Sequence, residues 1–155
     1  MTLLSFDAST KKTGYSVFVD GKFKEAYLID KSKIDDADER IHEMSIMLLK
    51  AMDYYSPSLI IIEDTYCGNN PKTQKMLNRL QGVVYCWCIQ HNADFNLVMP
   101  TAWRKHIPDF PKSAKRDEAK KYSIEYVKNK YNVDKGDDVA DAICIGEAGT
   151  VMFGG

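Results

Sequence analysis

The segment LIIIE, Leu59–Glu63, is an unbroken apolar run closed by a carboxylate. A strand with this pattern is buried on both faces, which calls for a sheet covered by other layers rather than one wetted on one side. The chain has 155 residues, 45% of them hydrophobic, enough for one domain with a real core. Residues 1–155 are accordingly read as a single domain.

Upstream of that run, TLLSFDA is a short β-rich stretch that closes on Asp7. YSVFVDGKFKEAYLI alternates around Asp20-Gly21, the strongest short-range hairpin signal. DDADERIHEMSIMLLKAMDYY repeats its apolar residues at three- and four-residue spacing, with acids at its start, and reads as a helix stopped at Ser56-Pro57. PKTQKMLNRLQGVVYCWCIQH opens on proline and continues as a second helix. FNLVMP is a further strand, Arg116–Lys130 a helix, and GDDVADAICIG lies in the last helix. The order βββαβαβ followed by helices indicates an α/β protein with a mixed sheet.

The acidic residues fall at informative places. Asp7 and Glu63 close strands, and sites in open α/β sheets form beyond the carboxyl ends of strands. Asp138 and Asp141 are three apart and share a helix face, with Val139, Ala142, Ile143 and Gly146 on a separate apolar face. Asp137 opens the helix, where capping is its expected role and metal binding the fallback. A carboxylate as deep in an apolar segment as Asp141 must be paired or bind a cation. Four converging carboxylates repel, and a hard divalent cation such as Mg²⁺ removes the conflict. Two ions about 4 Å apart can clamp the attacking and leaving oxygens of a phosphodiester.

Charge is distributed to match. The formal net charge is −1, yet Pro100–Tyr131 holds nine Lys or Arg and four Asp or Glu, so that window is +5 and the remainder −6. A basic tract on an acidic domain is a candidate polyanion footprint. Cys67, Cys86, Cys88 and Cys144 complete no zinc pattern and are expected to be reduced, packed thiols. His42, His91 and His106 have no clear role, although His91 sits where a helix-end dipole partner belongs. No apolar run approaches the ~18 residues of a membrane span and no signal peptide heads the chain, so a cytoplasmic protein is expected.

Several segments together resemble the RuvC-type Holliday junction resolvases of the RNase H-like superfamily, from about Leu4 to Glu147, in the short form found in phages and low-GC Gram-positive bacteria. FDASTKKTGYSVF resembles the family's first motif, IIIEDTY the second and GDDVADAICIG the third. NNPKTQKMLNRLQGVV resembles its long helix, and PTAWRKH with KSAKRDEAKKYSIEYV its basic region. The resemblance implies an RNase H-like mixed five-stranded sheet, the first three strands antiparallel and the fourth and fifth parallel to the first. It implies a metal-dependent, structure-selective endonuclease that resolves four-way DNA junctions by paired nicks leaving 5′-phosphate and 3′-hydroxyl ends. Asp7, Glu63, Asp138 and Asp141 would hold two Mg²⁺ ions, with Mn²⁺ substituting, and no nucleotide cofactor.

The same resemblance makes Tyr66 the residue that stacks at the junction centre. It matches Lys105 (or Arg104) and Lys115 (or Arg116) to the basic groups at the scissile phosphate. Lys11, Lys12 and Lys112 join them as DNA contacts. A homodimer through the 72–91 helix is implied as well. Met76, Leu80, Val83, Val84 and Trp87 of that helix can face the core, which leaves Leu77, Cys88 and part of the Cys86/Ile89 flank as a second apolar face for a partner. Three rival readings are an RNase H-like nuclease for RNA–DNA hybrids or structured RNA, an actin-like phosphotransferase, and a non-catalytic junction-binding protein.

Overall fold

A computed structural model of the chain describes residues 1–154. In chain order the elements are β1 (Thr2–Asp7), β2 (Lys12–Val19), β3 (Lys22–Asp30), α1 (Ala37–Tyr55), β4 (Leu59–Glu63), α2 (Pro71–His91), β5 (Asp94–Val98), α3 (Pro100–Arg104), α4 (Arg116–Tyr131) and α5 (Asp137–Met152). The sheet order is β3-β2-β1-β4-β5. β1 and β2 pair antiparallel, as do β2 and β3, whereas β4 runs parallel to both β1 and β5. This is the expected mixed five-stranded sheet.

The local chemistry explains the elements. Asp20 (φ 50°) and Gly21 (φ 75°) both adopt left-handed backbone, as the tight turn between β2 and β3 requires. The Asp36 carboxylate caps α1 by accepting from the Glu39 N–H at 2.9 Å. Asn70 caps α2 by accepting from the Thr73 N–H at 3.1 Å. α3 is a one-turn helix over part of the basic segment, too short to leave a periodic trace in the sequence.

Alternation along the strands divides the core between the two sheet faces. Leu4, Phe6, Ile60 and Ile62 point toward α1 and α2, meeting Met44, Leu48, Leu80, Val84 and Trp87. Leu3, Leu59 and Ile61 point toward α5, meeting Ile143, Cys144 and Ala148. Burying one such side chain is worth about 1.5–3 kcal/mol.

Three expectations need correction. α5 has no single apolar face. Ala140, Cys144, Ile145 and Ala148 are buried together with Val139, Ala142 and Ile143, because α3 and α4 cover the side turned away from the sheet. Asp137 is not the cap of α5. Gly136 is, with no side-chain cap bond, and the Asp137 carboxylate instead pairs with Lys120 at 3.2 Å. On α2, Leu77 and Cys88 are buried rather than exposed, Cys88 within the core that α1 and α2 form on one face of the sheet. The apolar strip turned outward is narrower: Tyr85 and Ile89 with Gly82 and Cys86 beside a half-buried Val83.

Candidate active site

The register of the two central strands builds the site. Phe6 pairs with Ile62 across the parallel β1–β4 ladder, so the next residues out, Asp7 and Glu63, leave the sheet side by side. Asp7 has the parity of Leu3 and Ser5, and Glu63 that of Leu59 and Ile61, so both carboxylates point to the face covered by α5. The spacing in the sequence requires this once the strands are neighbours.

α5 is pinned to that face at atomic contact. The buried hydroxyls of Ser5 and Ser16 lie 2.5 Å apart and 2.7 and 3.0 Å from the Ala142 carbonyl oxygen, so their two protons serve three short contacts that tie α5 to β1 and β2. Gly14 stands opposite Asp7 in the β1–β2 ladder. A Cβ on Gly14 would lie 2.1 Å from the Asp138 carbonyl oxygen, so only glycine admits the first turn of α5 this close. Asp138 and Asp141 are thereby delivered to the rim that holds Asp7 and Glu63.

Electrostatics records the convergence. Burial, then the negative charges of Glu63, Asp141, Asp138 and Asp137, hold Asp7 well above the usual carboxylate range. Burial pushes Asp141 up to about 7, with Glu63 adding to the effect and Ser123 and Arg104 opposing it. Asp138 is raised by burial and by Asp137, against Lys120, Lys12 and Arg116. Glu63 is raised by burial, against hydrogen bonds from Trp103 and Thr65 and the charge of Arg104. Among the described residues no three His, Cys, Asp or Glu side chains close into a tight cage. The donor set consists of carboxylate oxygens, which suits a hard divalent cation, and burial disfavours the charge on each of the four, with neighbouring carboxylates adding to this at Asp7, Asp138 and Asp141. The residues therefore fit such a cation.

Glu63 is held on both oxygens. The Trp103 indole N–H donates to Oε2 at 2.6 Å and the Thr65 hydroxyl to Oε1 at 3.2 Å. Trp103 is fully buried, and its neighbour Arg104 lies 5.3 Å from the ring centres of both Trp103 and Phe110. The sequence reading missed Trp103, Thr65 and Lys120. A buried tryptophan needs a hydrogen-bond acceptor, but spacing cannot name which carboxylate supplies it.

The basic candidates separate into two groups. Arg104 acts on Glu63 and Asp141, while Lys12 and Arg116 act on Asp138. Lys11, Lys105, Lys112 and Lys115 are exposed, with Lys105 and Lys112 lining a cleft of about 550 Å³ beside Arg104. Lys130 faces inward to Glu147 and Tyr126, and Lys128 pairs with Asp134 at 3.7 Å, so part of the basic tract is spent within the protein. Tyr66 is 81% exposed in the loop after β4. The cysteines are free thiols, and His91 stacks on Trp87 at the end of α2 with Nδ1 2.8 Å from the Trp87 carbonyl.

The model of the family described as crossover junction endodeoxyribonuclease RuvC matches residues 3–148. The chain belongs to the RuvC family. It is similar to the RuvC of Dictyoglomus thermophilum, with 22% identity covering 94% of this chain and 93% of that protein. The RuvC of Helicobacter pylori (strain ATCC 700392 / 26695) is 26% identical over the same shares. Among solved structures, Thermus thermophilus RuvC in complex with a Holliday junction substrate superposes with a TM-score of 0.75 at 13% identity, covering 99% of this chain and 97% of that one. The Fowlpox virus resolvase, solved with Holliday junction DNA, gives 0.64 at 18% identity, covering 98% and 99%. These likenesses establish the RNase H-like fold of RuvC proteins. RuvC nucleases are endodeoxyribonucleases and are metal-dependent. No helix among the described residues is long and apolar enough to cross a membrane.

Proposed function

We propose that this RuvC-family chain resolves four-way DNA junctions, with Asp7, Glu63, Asp138 and Asp141 as the ligands of two Mg²⁺ ions that Mn²⁺ can replace. The observation that carries the reading is the shared face: Asp7 and Glu63 leave adjacent parallel strands toward the helix that bears Asp138 and Asp141. When bound, the ions supply an activated water and offset the charge that builds on the scissile phosphate. The protein's own contribution is placement. Trp103 and Thr65 fix the Glu63 carboxylate, the Ser5–Ser16 pair and Gly14 fix α5, and Arg104 brings a cation to the edge of the acidic cluster.

DNA is gripped by Lys11 and Lys12 around the start of β2 and by Arg104, Lys105, Lys112, Lys115 and Arg116 from α3 to the first turn of α4, with Lys105 and Lys115 assigned to the scissile phosphate. Tyr66 stacks on a base at the junction centre, which its exposure supports. Two copies pair through the outward strip of α2 around Tyr85 and Ile89, setting two sites against opposed strands. Paired nicks leave 5′-phosphate and 3′-hydroxyl ends, and the work is done in the cytoplasm by one domain spanning residues 1–155.

The test is Mg²⁺-dependent cleavage of a mobile four-way junction beside flaps, RNA–DNA hybrids and single strands, with both nicks mapped. Symmetric paired nicks in the junction support the reading. Preferred cutting of hybrids points to a different RNase H-like nuclease. Asp7→Asn and Glu63→Gln should abolish cutting while junction binding survives, and wild-type cleavage by either variant removes it from the metal site.

A further inference from the structure

We propose that the cavity between the β1–β2 turn, the β3–α1 loop and the start of α2 is a second phosphate site, seating a backbone phosphate of the branched DNA away from the scissile bond. The inference rests on the nuclease reading above and extends it to a surface outside the carboxylate rim. The cavity measures about 630 Å³, and its polar lining includes Ser9, Thr10, Lys11, Arg40, Asn70 and Lys72.

Arg40 carries most of the weight. It is only 9% exposed, and among the described residues no carboxylate lies within ion-pair reach of it. Its Nε donates to the Thr10 hydroxyl at 3.3 Å, and its Nη1 donates to the carbonyls of Ile34 at 2.9 Å and Asp35 at 3.2 Å. Nη2 takes no hydrogen bond among the described residues. Carbonyl and hydroxyl partners satisfy donors but do not neutralise the charge, and Nη2 is not sealed from solvent. An anion seated beside it can accept from that amino group and pair with the guanidinium charge.

The surroundings favour an anion of the phosphodiester class. Lys11 and Lys72 add two positive charges at the mouth, against one carboxylate, that of Asp35, which also lines the cavity. The N-terminus of α2, a 21-residue helix, opens at Asn70–Thr73 and contributes its partial positive charge to the same space. No aromatic side chain lines the cavity, so it has nothing on which to stack a base. It is built to read backbone charge rather than sequence. Only Ala8 separates the turn Ser9–Lys11 from Asp7, so DNA held here lies close along the chain to the strand end that carries the first proposed metal ligand.

The test measures junction binding in EDTA across a salt series for the wild type, Arg40→Gln, Lys72→Gln and a control, Lys24→Gln on β3. Arg40→Gln and Lys72→Gln should each weaken binding several-fold and flatten the slope of log affinity against log salt by about 0.9 per lost phosphate contact. Lys24→Gln should change neither. Arg40 also holds the β3–α1 loop, so its variant can misfold, but Lys72 is exposed and its variant keeps the test decisive. Wild-type affinity and slope in Lys72→Gln overturn the site. Inorganic phosphate that raises the melting temperature of the wild type, while Lys72→Gln binds the junction normally, overturns the DNA assignment in favour of a free anion. A wild type that binds no junction sinks the nuclease reading, and this site with it.

Discussion

The indole N–H of Trp103 lies 2.6 Å from Oε2 of Glu63, from a ring with no exposed surface. Thr65 holds the other oxygen at 3.2 Å, so the central carboxylate of the site is oriented before any cation arrives. Outer groups that orient metal ligands typically account for about 10- to 100-fold in metal affinity or activity. Trp103→Phe keeps an aromatic ring and removes the donor. It should weaken Mn²⁺ binding in calorimetry and lower kcat by about that factor, with little change in KM for the junction. Unchanged Mn²⁺ affinity in a folded variant would show that the bond does not position Glu63.

Proton release should govern metal binding. The folded-state carboxyl of Asp141 is raised from 3.8 to about 7, so its contribution to stability is present below pH 4 and is lost as pH rises through about 7. Asp7, Glu63 and Asp138 are raised as well and act in the same direction. The metal-free protein should therefore lose melting temperature across that window, and Mg²⁺ should restore more of it above pH 7 than below pH 6. The Mg²⁺ concentration for half-maximal cleavage should fall over the same interval. A melting temperature that is flat with pH in EDTA contradicts the clustering.

Gly14→Ala places a methyl group against the backbone of Asp138, where no side chain can swing aside. Overpacking of this kind costs about 1–3 kcal/mol. Urea unfolding should show that loss, and cleavage should fall further than stability does, because α5 and its two aspartates must move to relieve the contact.

Tyr66→Ala should leave the melting temperature unchanged, since the side chain is 81% exposed. It should weaken junction affinity by about 1–3 kcal/mol, the usual worth of one base stacked on an aromatic ring. Equal loss on plain duplex would argue against a role at the junction centre.

Ile89 is 65% exposed on the outward strip of α2. Ile89→Glu should shift sedimentation from dimer to monomer and turn paired nicks into uncoordinated single ones. A wild type that sediments as a monomer removes the strip from the pairing surface.

The local chemistry of the chain was enough to place the strands, the long helices, the Asp20-Gly21 turn and the four acidic residues, because each follows from periodicity, turn geometry or a motif confined to a few neighbours. Tertiary structure alone decided the rest. The outward face of α2 was misjudged at Leu77 and Cys88, since a helix lying across both a sheet and a second helix buries more than one stripe. Asp137 turned from cap to ion-pair partner because α4 brings Lys120 to it. Trp103 reaches Glu63 across 40 positions of sequence, and Arg40 reaches Thr10 across 30. Such contacts depend on how α1, α3 and α4 settle against the sheet and α5, and spacing along a chain does not encode which distant partner a buried donor will meet.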